Sequence, residues 1–250
     1  MIPKIIHYCW FGRGAMPELA QKCIASWHRY LPEYEYRLWN EDTFDVSSVS
    51  YVREAYEARK FAFVTDYVRL WALEKFGGVY MDTDVEILKP LDDFLMLPAF
   101  TGYEASSAMA PVTGLMASRA HGIWVTEQLS YYNERHFRMN DGTLDLTPNT
   151  VPIKEIMRQN GFVIDGKYAI YKDDMHVFPM DYFCPLTSTR VLKKTKNTVC
   201  IHHFAGSWVE RTPLQRLKDF IIKYIIGTWL TDKIVRYKRR LRNKLQVMSN

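Results

Sequence analysis

Residues 61–90 read FAFVTDYVRLWALEKFGGVYMDTDVEILKP. From Phe61 to Leu73 apolar side chains fall on nearly every turn, which predicts a helix covered on most of its sides rather than along one stripe. Asp66 and Arg69 lie inside that run, three residues apart and therefore on one face. Charges in such a place need a partner or a ligand, because unpaired burial is costly. Gly77-Gly78 then supplies the left-handed residue that ends helices, and Val79-Tyr80-Met81 has the β-favouring character of a short buried strand. Asp82 and Asp84 arrive at the carboxyl end of that strand, where open α/β sheets hold ligands. Such a pair of carboxylates suits Mg²⁺ or Mn²⁺, hard cations commonly completed by substrate phosphates. The expected chemistry is departure of a nucleoside diphosphate, whose growing negative charge a bound cation stabilises.

Upstream, Pro3 to Gly12 reads as a first strand running into an aromatic loop, and a helix is expected from about Pro17, a good first helical residue. Tyr34 to Trp39 alternates as a second strand would, and Ser47 to Lys60 reads as a helix. This strand, helix, strand, helix order up to Asp84 predicts an α/β domain with a parallel-leaning sheet. Downstream, strands are expected over Phe100–Glu104, Val112–Ser118, Phe162–Ile164, His176–Phe178 and Thr198–Phe204. Helices are expected over Gly122–His136 and Pro152–Asn160, with a polar loop from Met139 to Pro148.

The chain has 250 residues, 48% hydrophobic and 14% aromatic, enough for one domain with a full core and unlike a disordered protein. Its four cysteines, Cys9, Cys23, Cys184 and Cys200, are far apart and lack metal-ligand spacing. With an N-terminus that lacks the apolar core of a signal peptide, they suggest reduced, buried thiols in a cytoplasmic protein. No stretch approaches the roughly 18 to 20 apolar residues that span a bilayer.

The net charge of +5 is uneven. Residues 211–250 carry eleven Lys/Arg and two Asp, a net of +9, leaving −4 on residues 1–210. In this tail Leu214, Leu217, Ile221, Tyr224, Ile225 and Trp229 are interleaved with Lys and Arg. Two readings stand: a basic amphipathic helix on an anionic membrane surface, or a helix packed on the domain with a solvated basic face. Nucleic acid is disfavoured because the rest of the chain is acidic.

Four blocks, in order, resemble glycosyltransferase family 32: Ile2-Pro3-Lys4-Ile5-Ile6-His7 with Trp10; Asp66 and Arg69; Gly77-Gly78-Val79-Tyr80-Met81-Asp82-Thr83-Asp84; and Ile201-His202-His203-Phe204-Ala205-Gly206-Ser207-Trp208. The resemblance covers residues 1–210 and implies a GT-A-like single domain with a mixed, mainly parallel sheet, followed by the tail at 211–250. It implies a divalent cation, Mn²⁺ or Mg²⁺, and transfer of a hexose with retention. The implied donor is a nucleotide sugar, UDP-hexose ahead of GDP-mannose, and the implied acceptor a cell-surface or lipid-linked glycan on the inner face of a bacterial plasma membrane. Residue by residue, Trp10 would stack on the donor base with Tyr8 close by, and Asp66 and Arg69 would grip the sugar. Asp82 and Asp84 would carry catalysis through the metal, His202 and His203 are further metal candidates, and Ser207 and Trp208 would touch the diphosphate. Val112-Thr113-Gly114 and Thr147-Pro148-Asn149-Thr150 would line the acceptor side.

Two rivals remain. Met81-Asp82-Thr83-Asp84-Val85 also resembles the nucleophile motif of haloacid dehalogenase-like phosphatases, with Asp82 as nucleophile and Lys172-Asp173-Asp174 as the later acidic motif. The other is a non-enzymatic peripheral adaptor acting through its basic tail.

Overall fold

The computed structural model describes residues 1–104, 109–187 and 191–206. Ser207, Trp208 and the basic tail lie outside the described residues.

The amino-terminal half alternates as its patterning predicts: β1 (Ile5–Cys9), α1 (Glu18–Tyr30), β2 (Glu35–Trp39), α2 (Ser50–Glu57), α3 (Phe61–Phe76) and β3 (Gly78–Met81). There follow β4 (Val85–Ile87), β5 (Ala99–Gly102), β6 (Leu115–Ser118), α4 (Ile123–Ser130), α5 (Thr150–Gln159), β7 (Ala169–Tyr171), β8 (Met175–Phe178), α6 (Met180–Phe183) and β9 (Cys200–His202). Seven strands form a central sheet in the order β2-β1-β3-β6-β5-β8-β7, while β4 and β9 make a separate antiparallel ribbon. β1, β2, β3, β5 and β8 run one way, and β6 and β7 the other. This is the mixed, mainly parallel sheet expected from the sequence.

Strand alternation distributes the core to both faces. Tyr80 joins Val64, Val68 and Trp39 on the side of α2, α3 and α4, whereas Val79 and Met81 join Ile6 and Trp27 on the side of α1. Helix α3 buries Phe63, Val64, Val68, Leu70 and Leu73 together with Asp66 and Arg69, which accounts for its apolar circumference. It ends at Gly77, with φ of 64°, and Gly78 follows at φ 113°. A Cβ at Gly78 would stand 2.6 Å from the Ile5 carbonyl oxygen, so the glycine pair both turns the chain and lets β3 close on β1.

Some expectations differ. Phe162–Ile164 is irregular: Phe162 packs edge-on to Tyr171, at 5.8 Å between centroids, but Val163 is 70% exposed, and an apolar triplet without a ladder partner forms no strand. The helix expected to reach His136 stops at Ser130, where the chain turns through Tyr131–Glu134, Glu134 having φ of 57°. Strands β4 and β7 and helix α6 are too short for a sequence pattern to reveal. All four cysteines are buried thiols outside any disulfide. Among the described residues no helix is long and apolar enough to cross a membrane.

His7 locks three elements together. Its Nδ1 lies 3.1 Å from the Trp39 indole nitrogen, which can only donate, so Nε2 carries the proton and donates to the Gly77 carbonyl at 2.8 Å. Burial pushes its pKa down to about 4, against a smaller opposing effect of the Gly77 carbonyl. The unfolded chain, near 6.5, therefore takes up a proton that the folded chain refuses. His7 stabilises fully above about pH 6.5, and that contribution is lost as pH falls towards 4. Asp66, raised to about 6 chiefly by burial, works in the opposite direction over a similar range, so wild type alone would mask the effect. His7→Phe is expected to destabilise by roughly 1–3 kcal/mol at pH 7. In urea unfolding the gap to wild type should narrow by about 2 kcal/mol at pH 5; a gap that does not change with pH would exclude this role.

Candidate active site

Parallel pairing of Ile6 with Val79 and His7 with Tyr80 brings the carboxyl ends of β1 and β3 to one edge of the sheet. Asp82 follows β3 directly and keeps its alternation, lying on the Tyr80 side towards α3. The Tyr80 hydroxyl donates to Asp82 Oδ1 at 2.8 Å. On α3, the Arg69 guanidinium bridges Asp82 Oδ1 at 3.2 Å and Asp66 Oδ1 at 3.3 Å. It lies over the Tyr80 ring, 4.7 Å from the centroid. The side chains of Asp66 and Arg69 are only 9% and 11% exposed. Burial opposes the Arg69 charge, but Asp82, Tyr80 and Asp66 more than offset it and hold the pKa above its usual value. The sequence pair at 66 and 69 is thus a buried ion pair that extends to the first aspartate of the motif.

At Asp82 the chain turns, with the Val85 amide donating to the Asp82 carbonyl at 2.9 Å, and leaves the central sheet for the β4–β9 ribbon. Val85 pairs with His202 there. The imidazole Nε2 lies 3.5 Å from Asp84 Oδ1 and 3.9 Å from Asp82 Oδ2. Asp84 Oδ2 accepts from the Ala205 amide at 2.7 Å. Each carboxylate therefore has one oxygen anchored by the protein and the other turned towards the same imidazole nitrogen.

Asp82, Asp84 and His202 each offer a ligand atom within 4.8 Å of the others. Two ligands bonded to one ion at about 2.1 Å stand no more than about 4.2 Å apart, so both imidazole–carboxylate separations fit a single cation. The electrostatics agree. Burial works against the charge on Asp84, yet His202 and the Ala205 amide hold its pKa below the usual range. Burial also works against the charge on His202, but Asp84, Cys184 and Asp82 hold its pKa well above the usual value. This cluster retains a positive charge at its centre, and a divalent cation can replace the imidazole proton.

The two histidines part company. His203 lies on the other face of the ribbon, where Nε2 meets Glu86 Oε2 at 2.8 Å, and it does not join the cluster. The alternation of side chains along a strand separates them. Trp10 sits just beyond β1, half-buried, with its indole N–H on the Gly14 carbonyl at 2.6 Å. Tyr8 meets Trp27 edge to face at 5.5 Å, and the Trp27 indole donates to the Val85 carbonyl at 2.6 Å, one residue from Asp84. The two segments expected on the acceptor side both approach these acidic groups. The Asn149 amide donates to Asp66 Oδ2 at 3.1 Å, and Thr113 Oγ1 lies 3.5 Å from His202 Nδ1. Tyr80 was missed as a site residue, although its place two before Asp82 puts both on one strand face.

Asp174 occupies a different region. It is fully buried, accepts from the Trp124 amide at 2.8 Å and from Arg119 at 3.3 Å, and precedes β8 at the opposite edge of the sheet. It supplies no second acidic group to Asp82, as a phosphatase site would require.

The family described as "Glycosyltransferase sugar-binding region containing DXD motif" matches residues 17–101. Inositol phosphoceramide mannosyltransferase 3 of Schizosaccharomyces pombe is 33% identical over 116 residues, 44% of this chain and 32% of that protein. Mannosyl phosphorylinositol ceramide synthase CSH1 of Saccharomyces cerevisiae is 27% identical over 146 residues, 55% of this chain and 38% of that protein. The matched stretches span about a third of these relatives' own length. Among solved structures, a glycosyltransferase involved in the glycosylation of the major capsid of PBCV-1 superposes with a TM-score of 0.50 at 14% identity, covering 89% of this chain and all of that one; this likeness concerns the fold alone. Residues 17–101 of the chain thus match this glycosyltransferase family, with Asp82-Thr83-Asp84 standing within the matched region as its DXD motif.

Proposed function

We propose that the protein is a cation-dependent, retaining hexosyltransferase that moves a sugar from a nucleotide donor to a cell-surface or lipid-linked glycan. The observation that carries this reading is the division of labour within Asp82 and Asp84, whose unanchored oxygens face His202 Nε2. A divalent cation bound there supplies positive charge to the departing diphosphate. Mn²⁺ suits the donor set better than Mg²⁺, since imidazole favours later transition metals over all-oxygen cations.

The other roles fall to the chain's own groups. Trp10, at the same sheet edge as Asp82, offers a ring for the donor base. Arg69 and Asp66 grip sugar hydroxyls beside the motif, and Arg69 at the same time holds Asp82 in place. Ser207 and Trp208, which follow directly on the loop anchored by Asp84, would close on the diphosphate. The donor sugar is proposed to be mannose, which the two relatives' names support, so GDP-mannose now stands ahead of the UDP-hexose expected from sequence. The ceramide in those names supports a membrane-borne acceptor, and the net charge of +9 on residues 211–250 supports work at the anionic inner face of a bacterial plasma membrane.

Asp84→Ala is expected to lower Mn²⁺-dependent donor hydrolysis by about 100-fold or more; full wild-type turnover in EDTA would exclude cation dependence. In a thermal-shift series with Mn²⁺, GDP-mannose should raise the midpoint more than UDP-glucose or UDP-galactose, a ligand at 100 times its Kd adding about 2.7 kcal/mol. The reverse order would restore the UDP-sugar reading, and no shift with any of them would oppose a nucleotide-sugar donor. Removing residues 211–250 should weaken salt-sensitive binding to phosphatidylserine vesicles while sparing donor hydrolysis. Unchanged partitioning would refute the tail's membrane role.

A further inference from the structure

Gly114 precedes β6 by one residue, and its φ lies outside the left-handed range. Any side chain could adopt that backbone, so the reason for glycine is space. A Cβ built there would stand 2.8 Å from Asp82 Oδ2 and 3.2 Å from both Cε1 and Nε2 of His202. These atoms belong to the groups that face one another across the cluster. Neither has an easy retreat: Asp82 Oδ1 is held by Tyr80 and Arg69, and the His202 ring stacks on Phe204 at 4.3 Å. The Asp82 amide donates to the Gly114 carbonyl at 2.7 Å, which fixes the glycine against the motif.

Thr113 approaches the same imidazole from its other nitrogen. Its hydroxyl oxygen lies 3.5 Å from His202 Nδ1. Its amide faces Thr101 Oγ1 at 3.4 Å, and that hydroxyl donates to the Leu115 carbonyl at 2.8 Å. With Thr113 on Nδ1, Nε2 is turned to the carboxylate side, where a cation would take the place of its proton.

We propose that the Thr113-Gly114 turn determines whether a cation enters this site. Gly114 keeps open the space beside Asp82 Oδ2 and His202 Nε2, and Thr113 is a positioning residue that orients the imidazole. The inference rests on the cation reading of Asp82, Asp84 and His202, and it adds a third wall supplied by the strand next to β3.

The test is Mn²⁺ binding to the full chain without donor, followed by the electron paramagnetic resonance signal of free Mn²⁺, with circular dichroism and the thermal midpoint of the metal-free protein as controls for folding. Gly114→Ala should weaken Mn²⁺ binding at least tenfold at an unchanged metal-free fold. Thr113→Val, of nearly equal volume, should weaken it several-fold, and Thr113→Ser should restore it, which a packing role for the threonine would not predict. Wild-type affinity in Gly114→Ala, or in Thr113→Val should the first variant fail to fold, would overturn the proposal. A wild-type chain that takes up no Mn²⁺ would instead overturn the cation reading beneath it.

Discussion

The buried guanidinium of Arg69 is the interaction on which the rest of the site depends. Asp66, Asp82 and Asp84 are gathered in a largely desolvated space, where like charges cannot remain ionised without compensation. Arg69 balances the first two and bonds to both, while His202 faces the second and third. Full ionisation of the three carboxylates leaves the group one positive charge short. The imidazole, which keeps its proton beside Asp84 and Asp82, supplies the second of the two positive charges, and burial is the chief reason that the pKa of Asp66 is raised.

The backbone makes this crowding possible by drawing on two sheets. Asp82 directly follows β3 of the central sheet and inherits its orientation, whereas Asp84 directly precedes β4 and His202 ends β9 of the ribbon. The three-residue motif is the crossing between them. A carboxylate from each side of that crossing presents one oxygen to a common centre, and the second oxygen of each is tied back to its own surroundings by Tyr80 and Arg69 or by Ala205. The arrangement is pre-formed because each of these anchors is a protein group that needs no ligand to hold it.

Much of this was legible in the chain. The apolar circumference of α3, the glycine pair and the β-branched and aromatic strand after it are local patterns, and they suffice to put Asp82 at the end of a strand with Arg69 behind it. What escaped depends on pairing at long range. Which of His202 and His203 turns inward is decided by the register of Val85 against His202, and no property of either residue foretells it. Phe162–Ile164 has strand-like residues but no neighbour to pair with. The reason for Gly114 lies in two side chains 32 and 88 positions away in sequence, and Tyr80 reads as a core aromatic until its hydroxyl is found on Asp82.

His7 shows how a conspicuous polar residue in a signature segment can be architectural. It needs an acceptor at one ring nitrogen and a donor at the other, set across the width of an imidazole between an indole and a helix-terminal carbonyl. Lysine and arginine only donate, and a carboxylate only accepts. Hydrogen-bond polarity excludes the charged side chains, and the flat width of the gap suits a neutral imidazole, so a histidine in this opening segment marks the docking of the first three strands around the end of α3.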